Sequence, residues 1–267
     1  MIVIATTFRS FGIGENDKNQ KNFISSLKNQ SRDLVLSITQ FGEVGIKEQL
    51  DDLTATIIEC DPPWSLSQVI INAIKKYPNQ NIIWANADLG FEPNFIEKVE
   101  ANLLKYDYLT SWPYVKSNGS FKSPTEHVRT FFGLDFLAIS NRITQKVSEY
   151  AEIFPNKSWG LFEHQIVCYS YLASNRKRGF NMYKESKVIK YLTPHEEIGE
   201  LNHHLRKSWQ DNLKRWNWIN SRRYRRIWLN FGWVALKFRG TPIKFNLVVI
   251  KYLVKYYFMK LFNFMMS

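Results

Sequence analysis

The side chains best suited to chemistry lie in three short stretches. The first is Asn86-Ala87-Asp88, which follows the apolar run Ile82-Ile83-Trp84. Such a run reads as a buried strand, and it stops at a short polar turn. A carboxylate at the C-terminal end of a core strand is where an open α/β sheet places ligand chemistry. The bland reading of Asp88 is a turn-forming or helix-capping residue. Glu92-Pro93 comes next, and proline suits the first turn of a helix because its missing N–H would be unpaired there anyway. The second stretch, Trp159-Gly160-Leu161-Phe162-Glu163-His164, opens a helix that runs to about Ser174. An acid near a helix start is also favoured by the macrodipole, so Glu163 has a structural reading as well. The third, Thr193-Pro194-His195-Glu196-Glu197, stops the last strand. His195 competes there with His203 and His204, and a loop imidazole is usually just solvated.

The elements that must position these residues alternate. Ile2 to Ala5 forms a first strand, ending in Thr6-Thr7-Phe8-Arg9 with Gly12 and Gly14 in the loop behind it. Phe23, Ile24 and Leu27 have helical spacing, placing a helix near 16–29. Strands follow at 33–39 and 54–59, the latter rich in β-branched residues, with a short helix around Val44, Ile46 and Leu50 between them. Leu66, Val69, Ile70, Ala73, Ile74 and Tyr77 form a helical stripe that Pro78 ends. After the strand bearing Asp88, a helix carries Phe95, Ile96, Val99 and Leu103. Strand–helix alternation with short joins predicts an α/β fold, a mainly parallel sheet with helices on both faces. Beyond Tyr106 the spacing predicts strands at 108–114 and 131–140, a polar loop at 115–126, a helix over Ile143, Val147 and Tyr150, and a last strand at 188–192.

This order resembles the GT-A class of nucleotide-sugar glycosyltransferases, in its family-2-like inverting form, over roughly residues 1–200. The family's D-x-D triplet is matched by Asn86-Ala87-Asp88, with an amide in the first place. Trp64-Ser65-Leu66-Ser67-Gln68 through Tyr77 is similar to the segment before that triplet. Trp159-Gly160-x-x-Glu163-His164 resembles the W-G-x-E-D stretch, and His195 matches a histidine that completes the metal site in several members. The resemblance implies that Asp88 and His195 hold Mn2+ or Mg2+ on the donor diphosphate, as hard cations take carboxylate, phosphate oxygen and water. An imidazole ligand tilts that choice toward manganese. Asn86 would touch the ribose or a metal-bound water, and Glu163 would be the general base for the acceptor hydroxyl. Thr6, Phe8 and Arg9 lie where the family holds the base and ribose, with the Arg9 fork suited to phosphate. Asp61 is the available acid for the uracil ring, because Thr39 and Gln40 offer no carboxylate. Trp112 and Trp159 are candidates to stack on a sugar, or else core.

Composition sets the remaining expectations. At 267 residues, 45% hydrophobic and 15% aromatic, the chain has enough apolar material for one large domain plus an appendage. Cys60 and Cys168 fit no disulfide framework or zinc spacing, which points to a reducing, cytoplasmic compartment. Residues 1–8 lack a basic signal-sequence start and read as a strand. No uncharged apolar run approaches the roughly 18–20 residues that span a bilayer. Charge is uneven: from His203 onward there are 14 Lys/Arg and one acid, Asp211, or +13 of the total +12, leaving −1 for the first 202 residues. The chain therefore divides into a glycosyltransferase-like domain at 1–204 and a basic, aromatic helical tail at 205–267. Lys244, Lys251 and Lys255 project within about 20° of one another at 100° per residue, off the side bearing Val248, Val249, Tyr252 and Tyr256, a separation that Lys260 breaks. A basic line beside an apolar face suits the headgroup region of an anionic leaflet, at the inner face of the cell membrane. The competing reading is a helix packed on the body or in an oligomer interface. Nucleic acid ranks lower, because a phosphate-tracking groove needs less apolar surface.

The expected activity is transfer of a sugar from a nucleoside-diphosphate sugar, UDP-linked by the resemblance, to a glycan or lipid-linked acceptor in surface polysaccharide synthesis. The alternative is a non-catalytic binding module on the same fold, with the altered triplet marking lost activity. A sugar nucleotidyltransferase ranks last, because no glycine-rich basic phosphate loop follows the first strand.

Overall fold

Strands covered on both faces need apolar residues at successive positions, and Ile2 to Ala5 supplies them. The computed structural model describes residues 1–8, 11–12, 14–41, 46–50, 53–60, 67–111, 114–117, 120–122, 136–153, 162–174, 179–182, 189–194, 233–238, 247, 249–250 and 253–254. Its main sheet joins β1 (Ile2–Thr6), β2 (Leu34–Gln40), β3 (Ala55–Glu59), β4 (Asn81–Ala85), β6 (Tyr108–Thr110), β9 (Phe136–Ile139) and β10 (Phe180–Asn181). The order is β10-β6-β9-β4-β1-β2-β3. Four of its six junctions are parallel, and β9 alone runs against its two neighbours. A smaller sheet, ordered β5-β11-β7-β8, joins β5 (Leu89–Phe91), β7 (Tyr114–Ser117), β8 (Ser120–Lys122) and β11 (Ile189–Pro194).

Side-chain alternation divides the core into two layers. Val3, Ala5, Ile82, Trp84, Leu137 and Ile139 face α3 (Ser67–Lys76), α5 (Thr144–Ile153) and α6 (Phe162–Ala173). Ile2, Ile4, Ile83, Ala85, Phe136 and Ala138 face α1 (Gly14–Lys28), α2 (Lys47–Leu50) and α4 (Phe95–Leu103). The fold is thus the expected α/β arrangement, with helices on both faces of a mostly parallel sheet.

The differences from the sequence reading lie mostly beyond residue 107. The region 108–114 is divided between two sheets, with β6 in the main one and Tyr114 beginning β7 in the other. The stretch read as a polar loop contains a hairpin, with Lys116 opposite Phe121 and Ser117 opposite Ser120. Asn118-Gly119, a dipeptide suited to a hairpin turn, lies between these strands and outside the described residues. The last strand belongs to the small sheet, and β5 and β10 were not read as strands at all.

One polar cluster ties the N-terminal pole of the main sheet together. Asp107 immediately precedes β6, and its side chain is 5% exposed. Its Oδ1 accepts from Arg142 Nη2 at 2.8 Å and Nε at 2.9 Å, and its Oδ2 from Ser174 Oγ at 2.7 Å. The same guanidinium donates to the carbonyls of Leu103 at 2.8 Å and Tyr106 at 3.0 Å. The Asp107 carbonyl accepts from the Ser140 N–H at 2.8 Å. The ends of α4 and α6, the start of β6 and the turn from β9 to α5 are therefore tied together through the Asp107–Arg142 pair.

The described residues of the tail correct part of its expected geometry. Val234, Ala235, Phe238, Val249 and Leu253 are buried in the same core layer as α3, α5 and α6. The Phe238 ring meets Tyr108 edge-on, centroids 5.5 Å apart. The Lys237 ammonium hydrogen-bonds the Tyr171 hydroxyl and lies 4.6 Å from that ring's centroid. Val249 thus packs on the body instead of facing outward. The physical reason is that α6 and β6 leave apolar surface that these side chains cover.

Two stability outcomes follow. Arg142→Ala strips a buried carboxylate of its charged partner, and loses about 3 kcal/mol. At this size that corresponds to a fall in Tm of roughly 6–12 °C, measurable by circular dichroism or calorimetry. At Gly179 an added methyl group would overlap the rings of Tyr108 and Phe238. Gly179→Ala is therefore expected to cost about 1–3 kcal/mol in urea unfolding, and a neutral result would refute the close packing of the 233–238 turn.

Candidate functional site

The C-terminal tips of β1, β2, β3 and β4 form one edge of the main sheet, and the β4–β5 turn sits on it. Thr6 ends β1, and its hydroxyl donates to the Ala85 carbonyl at 2.8 Å in a fully buried contact. This bond holds the tips of the two central strands together. The Phe8 ring is buried against Phe11 and Phe23, centroids 5.6 and 5.9 Å away. The side chains of Thr6 and Phe8 are therefore spent inside the protein, and only their backbone is left for a ligand at that edge. Behind them Gly12 adopts φ +82°, and its N–H donates to Asp17 Oδ1 at 2.8 Å. Lys21, 2.8 Å from Asp17, and that N–H hold the Asp17 carboxyl below its ordinary range.

Asp88 lies in the turn after β4, closed by the Leu89 N–H donating to the Asn86 carbonyl at 3.3 Å. Both Asn86 and Asp88 are half-buried, and Asp88 Oδ1 is shielded from solvent. The turn is fixed on either side. β4 is paired with β1 and β9, and β5 is paired with β11. In that last pairing Tyr191 lies opposite Leu89, so β11 runs antiparallel past the Asp88 turn before reaching Pro194. His195 follows immediately in sequence but lies outside the described residues.

The backbone of Glu163 lies in the first turn of α6, a helix whose other end is anchored at the N-terminal pole. Ser174, just beyond α6, is bonded to Asp107 at the opposite, N-terminal pole of the sheet. From there α6 packs along β6 and β9, and its 12 residues rise about 18 Å. The five residues of β4 span about 16 Å. The start of α6, with Glu163 in its first turn, is therefore directed away from the Asp107 cluster, toward the pole that carries Asn86 and Asp88. The side chains of Glu163 and His164 are not described, and Arg9, Asp61, Trp112 and Trp159 lie outside the described residues.

One polar residue was missed in the sequence. Asn72 of α3 reaches over the tips of β2 and β3, donating to Thr39 Oγ1 at 3.2 Å and to Cys60 Sγ at 3.3 Å. The Cys60 N–H donates to the Gln40 carbonyl at 3.0 Å. Its signal was an amide set between Ile71 and Ala73 in an otherwise apolar helix. Both cysteines are free, and burial pushes the Cys168 thiol up to about 12, so it is a neutral packing group remote from this edge. Among the described residues no three His, Cys, Asp or Glu side chains gather into a metal site. The described cleft of about 610 Å³, lined by Arg32, Asn81, Glu100 and Arg142 among others, opens at the N-terminal pole, away from Asp88.

No protein-family model matches the sequence, and no curated protein matches it. Among solved structures the chain superposes on S. aureus TarS 1-349 in complex with UDP, with a TM-score of 0.54 at 9% identity. The match covers 94% of this chain and 70% of that one. The fold is GT-A-like. A longer S. aureus TarS structure gives a TM-score of 0.50 at 10% identity, over 74% of this chain and 38% of that one.

The β1–β4 tie yields a direct test. Thr6→Val keeps the side-chain shape but leaves the Ala85 carbonyl without its hydroxyl donor. The expected loss is about 1–2 kcal/mol in denaturant unfolding, with the fold retained by circular dichroism.

Proposed function

We propose that the protein is a glycosyltransferase that moves a sugar from a nucleoside-diphosphate donor, UDP-linked in the first instance, to a hydroxyl of a glycan or lipid-linked acceptor. The observation that carries this reading is the placement of Asp88 on the β4–β5 turn of a GT-A-like sheet, with the first turn of α6, bearing Glu163, directed toward the same pole. The fold likeness to a protein solved with UDP supports the donor class.

In this reading Asp88 and His195 would hold a divalent cation. A half-buried carboxylate offers a hard oxygen donor, and a single one suffices for an ion that keeps water and phosphate oxygens as its other ligands. When bound, manganese or magnesium neutralises charge on the departing diphosphate. The chain's own residues do the rest. Arg9 pairs with phosphate, Asp61 reads the base and Asn86 orients the ribose. Glu163 accepts the proton of the acceptor hydroxyl as its oxygen forms a bond to the anomeric carbon. The carbon–oxygen bond to the diphosphate breaks in the same displacement, and the anomeric configuration inverts. A role in surface polysaccharide synthesis is the setting that such an acceptor suggests.

A second reading rests on Asn86. An amide stands where a second acid would strengthen cation binding, and a non-catalytic module on this fold would tolerate that change. Calorimetry with UDP separates the two. The enzymatic reading expects heat that depends on manganese and disappears on chelation, and wild-type protein without such heat favours the module. Asp88→Ala should abolish both this heat and turnover of a nucleotide-sugar panel. Glu163→Gln should keep the binding but lower kcat by roughly 10²–10⁴-fold. Undiminished turnover in Asp88→Ala would reject the assignment.

A further inference from the structure

The C-terminal part of the chain shows two apolar faces. Leu247, Val249, Ile250, Leu253 and Val254 are all helical. Val249 and Leu253, four residues apart, are 3% and 4% exposed and join the core of the body. Leu247, Ile250 and Val254, spaced by three and four, form a second stripe on a different side. Their exposures are 58%, 44% and 61%. One face anchors the segment to the protein, which leaves the other an unpartnered aliphatic strip among the described residues.

We propose that this strip, Leu247-Ile250-Val254, docks the protein on an anionic lipid surface. The argument is charge complementarity. The chain from His203 onward holds 14 Lys/Arg against one acid, and Lys251 and Lys255 directly follow Ile250 and Val254 in sequence. Two copies meeting through such a strip would bring like charges together, at a cost. An anionic leaflet gains from the same charges, about five-fold in affinity for each basic residue near its surface. Three aliphatic side chains have no partner in a phosphate-tracking groove, but they fit the boundary between headgroups and acyl chains. Among the described residues no helix is long and apolar enough to cross a membrane, so the contact is with the surface. Because Val249 and Leu253 are fixed in the core, the catalytic body would be held rigidly against the bilayer, not tethered to it.

The test is co-sedimentation of the full chain with phosphatidylcholine vesicles, with and without phosphatidylglycerol. The wild type is expected to pellet with the anionic vesicles, to release in high salt and to ignore the neutral ones. The triple variant Leu247→Ser/Ile250→Ser/Val254→Ser should bind at least about ten-fold more weakly, with unchanged thermal unfolding because these side chains are already exposed. Should the triple variant fail to fold, Leu247→Ser alone must still weaken binding measurably. Wild-type protein that ignores anionic vesicles overturns the proposal, as does a folded variant, triple or single, that binds like wild type. A wild-type dimer that the triple variant dissociates would assign the strip to a second copy instead.

Discussion

A carboxylate that is 5% exposed at the start of a strand must be satisfied or it destabilises its surroundings, and Asp107 accepts three hydrogen bonds, two from Arg142 and one from Ser174. The desolvation penalty for such a group is several kcal/mol, offset only when charge and hydrogen bonds are both well placed. Arg142 supplies the charge and Ser174 a further donor. Because Ser174 terminates α6, this cluster also sets where that helix ends. A helix is stiff and rises by a fixed step, so anchoring one end limits where the other can lie. The placement of Glu163 is thus constrained in part by the Asp107 cluster at the far end of its helix. Stability and the layout of the candidate site share one cause here.

The Asp88 turn is held in a similar way by groups that do no chemistry. Phe91 in β5 stacks on Phe95 of α4, centroids 4.1 Å apart and planes within 15°. Phe23 and Phe136 meet this pair edge-on at 5.7 and 5.6 Å. Aromatic pairs of this kind add about 0.5–1.5 kcal/mol beyond their burial. β5 is therefore pinned from below while β4 is locked between β1 and β9, and the turn between them has little freedom. Thr6 and Phe8, read from sequence as ligand contacts, turn out to build this platform. The hydroxyl of Thr6 closes the gap between β1 and β4, and the Phe8 ring begins the aromatic row.

The first half of the fold was legible because its signals are redundant. β1 and β4 carry continuous apolar runs, α3 and α4 carry full helical stripes, and Pro78 and Pro93 mark boundaries. The second half was less so. β6, β8 and β10 have two or three residues each, too few for any period to emerge. The β7–β8 hairpin is polar, so the Asn118-Gly119 dipeptide in the sequence was the only sign of it. The position of Asp88 in a turn after β4 was legible because an apolar run stops there at polar residues. Asn72 was not, because an amide in a helical stripe looks like a packing defect until the tips of β2 and β3 are placed beneath it. The role of Asp107 could not be seen either, since its partners lie 35 and 67 residues away. The tail's basic character was plain from its charge, but which apolar face was already occupied depended on the surface left by α6 and β6.

The substitution of Asn86 for an acid has an electrostatic consequence on the proposed reading. At an effective dielectric constant of about 20, unit charges 4 Å apart interact by about 4 kcal/mol, and a carboxylate against a divalent ion by about twice that. A site with one carboxylate therefore holds a free cation far more weakly than a site with two. Its affinity recovers when a diphosphate brings its own negative oxygens. Cation and donor then bind as a unit, and neither alone is retained. The same arithmetic favours the donor, because an amide beside the diphosphate adds no repulsion where a second carboxylate would. Losing the acid weakens the grip on metal alone and eases the approach of the nucleotide, so Asn86 is compatible with an active site that assembles only when the substrate is present.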